Sequence, residues 1–239
     1  MPQSHSFWWL PSALAVGFAV VHMHLTAAPA SERHLRVFTP KELAAFDGRG
    51  GGPVYLAIMG RVFDVSAGRE FYEPGAGYEC FAGRDASLAF VTGDFAGDRT
   101  DDVGALSGKQ LAELAGWVNG TYHAKYAYLG VLGGGYFFDA NGRETPAGRD
   151  VARRVAAESA AARVRAADLR RYPRCASKRA AGAASVSCKG GRVPRRRDAG
   201  DGDGRDRCAC VDAAAAAALP GDFRPYDGCA PGATTCAVP

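Results

Sequence analysis

Tyr72 and Tyr78 flank a Pro74-Gly75 turn within the run Phe71-Tyr-Glu-Pro-Gly-Ala-Gly-Tyr-Glu-Cys-Phe-Ala-Gly-Arg-Asp-Ala-Ser87, and a Lys125-Tyr126 pair lies further along. A phenolate held near a cation is one of the few ways a protein can bind ferric haem without histidine or cysteine. A free tyrosine titrates at about 10. Coordination to Fe(III) and a nearby ammonium both favour the phenolate. In this reading Lys125 supplies that charge or pairs with a haem propionate. Tyr72 donates a hydrogen bond to the coordinating oxygen, a contact that fixes ligand orientation and tunes the metal. An anionic ligand stabilises Fe(III) over Fe(II), so the reduction potential should be low. Each residue also has a plainer reading: rim tyrosines, an ordinary turn, a solvated strand lysine, and Arg84 and Asp85 engaged in helix capping and local pairing.

The elements that must position these side chains read as one compact mixed domain over residues 36–138. Arg36-Val-Phe38 reads as a short strand, and Thr39-Pro40 caps a helix from Lys41 to Phe46, with proline at its favoured first position. Val54-Tyr-Leu-Ala-Ile58 and Arg61-Val-Phe-Asp-Val65 read as a hairpin joined by Met59-Gly60. A helix is expected from about Asp85 to Val91. Ser107 with Gln110 forms a capping box for the next helix, whose Leu111, Leu114 and Trp117-Val118 have helical spacing. Ala124 to Leu132 reads as a strand, and Tyr136-Phe-Phe138 as another short one.

Residues 150–172 are Ala/Arg-rich and read as a linker helix with a weak apolar stripe of Val151, Val155, Val164 and Leu169. Residues 173–239 have few large apolar residues, so a core there needs disulfides. Six of the seven cysteines fall in that tail: Cys175, Cys188, Cys208, Cys210, Cys229 and Cys236. Their even number in a loop-rich segment suggests disulfides, with fifteen pairings open. Zinc on Cys208-Ala-Cys210 is disfavoured, because no histidine follows His123 and no CxxC pair is present. Cys80 is left over as a buried or reactive thiol.

Residues 1–30 read as a secretory signal: Phe7 to Val21 is mostly apolar, and Ala27-Ala-Pro-Ala30 offers a small-x-small cleavage site. The chain is then secreted; a retained anchor that keeps it on endomembranes is the alternative. The net charge of +4 is mild, and the late arginine runs carry no base-reading module, so nucleic acid is not an expected partner.

The text Gly60-Arg-Val-Phe-Asp-Val65, Phe71-Tyr72, Gly77-Tyr78 and Phe81-Ala-Gly-Arg-Asp-Ala-Ser87 resembles the membrane-associated progesterone receptor family, a branch of the cytochrome b5-like haem/steroid-binding domains. Asp101-Asp102 before Leu106-Ser107, and Lys125-Tyr126 before Gly130, continue the pattern over residues 36–132. Tyr72-Glu-Pro-Gly75, Ala89-Phe-Val-Thr-Gly-Asp94 and the cysteine tail are similar to a secreted branch of it. The resemblance implies an α+β fold: the cytochrome b5-like domain, then the Ala/Arg-rich helix and the disulfide-rich, loop-rich tail. It implies haem b in the ferric state, with Tyr78 as axial ligand to iron, Tyr72 as its hydrogen-bonding partner, and Lys125 and Tyr126 contacting the haem. The His-Pro-Gly-Gly motif of true cytochrome b5 is absent, and His34 and His123 do not make a bis-histidine site. Cys80 stands where the family carries an apolar residue without a thiol. A haem-linked homodimer is a further partner the reading allows; Asn119-Gly-Thr121 is a glycosylation sequon that either carries a glycan obstructing a dimer face or goes unused.

The function expected on this basis is a secreted haem-binding signalling protein that meets a cell-surface receptor and promotes neuronal differentiation. A steroid- or lipid-binding module lined by Phe71, Phe81, Phe90 and Trp117, without haem, is the alternative. A redox accessory role suits a low-potential phenolate-ligated iron poorly. No Ser-His-Asp set is present, and Asp101-Asp102 read as loop and cap residues, so no enzymatic activity is expected.

Overall fold

The computed structural model describes residues 36–180, 182–200 and 204–238. The signal-segment expectation for residues 1–30, and His34, lie outside the described residues. Among the described residues no helix is long and apolar enough to cross a membrane.

Strand β1 (Arg36–Phe38) leads into helix α1 (Pro40–Ala44). Thr39 caps it: its hydroxyl accepts from Glu42 N at 3.2 Å and the Glu42 carboxylate accepts from Thr39 N at 2.7 Å. Strands β2 (Tyr55–Ile58) and β3 (Arg61–Asp64) form the expected hairpin. Met59 and Gly60 both take positive φ, 51° and 71°, the geometry of the two-residue turns that match strand twist. Strand β4 (Ala127–Leu132) lies between β3 and β1, giving the order β1-β4-β3-β2, with β1 parallel to β4 and the remaining pairs antiparallel. Leu56, Ile58, Phe63 and Val65 meet Leu111, Leu114 and Val118 in the main core. Each such fully buried side chain contributes on the order of 1.5–3 kcal/mol.

Three local expectations change. The helix expected from Asp85 is confined to α3 (Ala89–Thr92), because Asp85 and Ser87 are used elsewhere. The Asp85 carboxylate accepts from Gly60 N at 2.7 Å and the Ser87 hydroxyl accepts from Met59 N at 2.7 Å, so this segment clamps the hairpin turn. The strand expected from Ala124 begins at Ala127, because residues before it belong to a helical run. Tyr136-Phe-Phe138 makes only isolated bridges at Phe138.

Helix α6 (Pro146–Arg171) starts at a Thr145 cap with proline at its first turn, and Val151 is buried against the domain. Beyond it the tail is disulfide-rich, with five strands among the described residues. Strands β5 (Ala176–Ala180), β6 (Ala183–Ser187) and β9 (Thr235–Val238) form one sheet, and β7 (Val193–Asp198) pairs with β8 (Asp206–Val211) in another. The short α7 (Ala213–Ala218) helps cover a small core of Tyr172, Val193, Ala209, Val211 and Phe223. Disulfides join Cys175 to Cys208, Cys188 to Cys210 and Cys229 to Cys236. Asp168 ties α6 to this unit through Arg197, at 2.9 Å, and Arg207.

Candidate functional site: an aromatic cleft with four tyrosines

Helix α2 (Arg69–Tyr72) carries Phe71 and Tyr72 to one wall of a cleft of about 350 Å³. The Glu73–Gly77 turn then returns the chain, and Tyr78 N donates to the Phe71 carbonyl at 2.9 Å. Glu79 holds this turn by accepting from Gly75 N at 2.5 Å. Gly75, at φ 89°, can make it without strain because it has no Cβ. Tyr78 therefore stands on the cleft wall, 45% exposed, while Tyr72 is buried at 8%.

The opposite wall comes from helix α4 (Gly108–Gly116) and its continuation. Trp117–Tyr122 is a π-helical turn, in which His123 N–H closes on the Val118 carbonyl five residues back. Such turns are local departures from α spacing that recur at functional sites. Trp117, Thr121 and Tyr122 from this turn, Lys125 from the following short helix α5 (His123–Lys125), and Tyr126 all line the cleft. Lys125 thus ends a helical run rather than sitting on a strand. Phe81, Phe90 and Phe95 close the end: the Phe81 and Phe90 rings lie 4.1 Å apart, and Phe95 meets Tyr78 edge-on at 5.7 Å.

Tyr72, Tyr78, Lys125 and Tyr126 are therefore brought to one cleft. Tyr122, which the sequence reading missed, joins them. Its hydroxyl lies 3.0 Å from that of Tyr72, so Tyr72 is bonded to Tyr122, while its ring centroid is 6.3 Å from that of Tyr78. The spacing Leu114, Val118, Tyr122 was the available signal, since it continues the apolar face of α4. Burial pushes the Tyr72 phenol up to about 12. Burial and the Tyr72 partner push Tyr122 higher still. Both are neutral phenols at ordinary pH. The Tyr126 hydroxyl packs where a side chain on Gly68 would stand, 2.7 Å from the Cβ position, so glycine there makes room for it.

Other singled-out residues fall outside the lining. Cys80 is buried and free, its thiol pushed up by desolvation. His123 packs edge-on against Phe63 at 5.0 Å. Asp101 accepts from Tyr136 N at 2.7 Å and Asp102 from Gly104 N at 2.9 Å, both loop-forming contacts. Asn119 is exposed and lines a separate cleft of about 220 Å³ beside Phe138 and Val151.

The arrangement is a mostly aromatic cleft with phenol oxygens and one ammonium in its lining. It has no paired acid and base, and it suits a planar apolar ligand that carries a group for oxygen or nitrogen to hold.

The sequence profile of the Cytochrome b5-like Heme/Steroid binding domain matches residues 39–131. Neuferricin of Mus musculus is 48% identical over 105 residues, which cover 43% of this chain and 40% of that protein. The neuferricin homolog of Caenorhabditis elegans is 36% identical over 191 residues, 78% of this chain and 57% of that one. Membrane-associated progesterone-binding protein 4 of Arabidopsis thaliana is 41% identical over 120 residues, 49% of this chain and 48% of that one. The chain spans about half the length of the curated relatives it matches.

Proposed function

We propose that this chain, whose residues 39–131 are a cytochrome b5-like haem/steroid-binding domain, binds ferric haem b in the aromatic cleft, with Tyr78 as the ligand to iron. The observation that carries this reading is the contrast among the cleft tyrosines. Tyr72 and Tyr122 are buried and bonded to each other, whereas Tyr78 is exposed on the wall. The donor set fits the group: an anionic oxygen ligand, a cation for a carboxylate, and aromatic faces for a macrocycle. When bound, haem supplies an Fe(III) centre that accepts such an oxygen.

The chain's own residues then divide the work. Tyr78 would hold the iron through its phenol oxygen, its proton displaced to solvent on binding. With Tyr122 as the donor of the Tyr72–Tyr122 bond, the Tyr72 O–H would be available to turn toward the Tyr78 oxygen. Lys125 offers its ammonium to a propionate, and Tyr126 packs beside it. Phe81, Phe90 and Phe95 keep water from the inner end.

The reading extends to a non-enzymatic protein acting outside the cell, meeting a cell-surface receptor and promoting neuronal differentiation, as the family resemblance implies. Three disulfides in the tail support an oxidising compartment. The aromatic lining also suits a steroid, which is the competing reading. Hemin titration of the full chain, repeated with a steroid competitor, separates the two. A saturable Soret band at one haem per chain is expected. Steroid uptake without haem uptake would replace this reading with a steroid-binding module.

A further inference from the structure

The β5–β6 hairpin pairs Ala176 with Ser187, so Cys175 and Cys188 stand one position beyond its open end. Cys208 and Cys210 lie two apart on β8, a spacing that puts both on one face of that strand. The two disulfides therefore run side by side between one sheet and the other. Their sulfurs crowd together: Cys175 Sγ and Cys188 Sγ, which belong to different disulfides, are 3.7 Å apart. The sulfurs of Cys175, Cys188 and Cys210 all lie within 4.8 Å of one another, and Cys208 is bonded to Cys175. A Zn(II) ion bound by thiolates at about 2.3 Å in a tetrahedron sets its sulfurs about 3.8 Å apart. The Cys175–Cys188 spacing, across the two disulfides, matches that edge, and opening the bridges lets the two bonded pairs move apart to it.

The tail has neither a CxxC pair nor a histidine, the features whose lack disfavours zinc in the sequence, yet the fold brings four cysteines together without either. Three of them have a basic chain neighbour, Arg174 before Cys175, Arg207 before Cys208 and Lys189 after Cys188, and positive charge favours thiolate over thiol.

We propose that Cys175, Cys188, Cys208 and Cys210 form a redox-switched Zn(II) site. Each disulfide takes two electrons and two protons from a thiol or phosphine reductant and opens to two thiols. Zn(II) then displaces the four thiol protons to solvent and is held by four thiolates. The two states exclude each other, since a sulfur in a disulfide is no thiolate. The thiol poise of the compartment selects between them. In both, the β5–β6 hairpin stays fastened to β8.

The full chain is reduced without oxygen by a phosphine, which leaves as the phosphine oxide with oxygen from water. It is then freed of reductant and titrated with zinc alone against a competing chelator. Metal content and zinc X-ray absorption are read, neither of which bound haem obscures. One zinc per chain with four sulfur neighbours is expected. Cys175→Ser and Cys210→Ser should each lower affinity more than about tenfold, with one sulfur neighbour lost. Cys229→Ser and Cys80→Ser should leave both readouts unchanged. The unreduced chain should retain no zinc at these sulfurs. No zinc retained after reduction, fewer than three sulfur neighbours, or equal losses in Cys229→Ser and Cys175→Ser would overturn the proposal.

Discussion

The hydroxyls of Tyr72 and Tyr122 meet at 3.0 Å, joining α2 on one wall of the cleft to the π-helical turn on the other. This bond closes two buried polar groups on each other and fixes the wall against which Tyr78 stands. Tyr122→Phe leaves the Tyr72 hydroxyl buried without its partner, at a cost of about 1–2 kcal/mol. Tyr72→Phe/Tyr122→Phe removes both groups and should cost less than the sum of the single changes, a coupling visible in urea unfolding. Simple additivity would mean the bond contributes nothing. The pH sign follows from the raised Tyr72 phenol. The pair's contribution is present below about pH 10 and lost as pH climbs through about 12.

Asp85 is wholly buried, and desolvation pushes its carboxyl up to about 6. A folded value above the unfolded one of about 4 means its contribution is present below about pH 4 and is lost as pH rises through about 6. Asp85→Asn should flatten the difference in stability between pH 4 and 7 by on the order of 2–3 kcal/mol relative to the unmutated chain. It should also lower stability overall, because a side-chain amide that presents its NH₂ to Gly60 N–H loses an acceptor. Urea midpoints of both chains across this range check the claim, and parallel pH profiles would contradict it.

Asp168 receives Arg197 and Arg207 from the tail, and the Arg207 side chain is only 4% exposed. Asp168→Ala strands that guanidinium, which should cost about 2–4 kcal/mol in the tail. Limited proteolysis should then cut residues beyond α6 sooner while the cleft domain keeps its protection. Unchanged cleavage would show that α6 and the tail are not coupled through this carboxylate.

Opening the Cys175–Cys208 bridge under oxidising conditions, as the double serine variant, should destabilise the tail by about 4 kcal/mol, from the 33-residue separation it closes. The Cys229–Cys236 bridge closes a separation of 7 and should cost less, about 2 kcal/mol. Thermal unfolding of the two variants gives the order, and the reverse order would contradict it.

The readable parts of the chain were those set by local chemistry. Thr39-Pro40 and Ser107-Gln110 fix helix starts through caps, and Met59-Gly60 fixes a turn. Asp85 and Ser87 were misread because their partners, Gly60 N for Asp85 and Met59 N for Ser87, lie 25 and 28 residues back, and a Gly-Arg-Asp-Ala-Ser string looks like a helix start without them. Tyr122 continues the Leu114 and Val118 face and reads as one more core position, and the helical placement of Lys125 was hidden by the π turn, which α periodicity does not forecast. The tail strands were hidden because residues such as Ala176–Ala180 and Ala183–Ser187 are small or polar, and their pairing is imposed by disulfides and by β9 arriving from the far end of the chain. Tyr72, Tyr78, Lys125 and Tyr126 were legible from their types and text, although only the fold brings the two halves of that set to one cleft.

The most direct test of the haem reading is the visible spectrum of the full chain with hemin, beside Tyr78→Phe, Tyr72→Phe and Tyr126→Phe. The account predicts a ferric high-spin tyrosinate spectrum that collapses in Tyr78→Phe, shifts in Tyr72→Phe and survives with weaker binding in Tyr126→Phe. An unaltered spectrum in Tyr78→Phe would contradict it and move the iron ligand elsewhere.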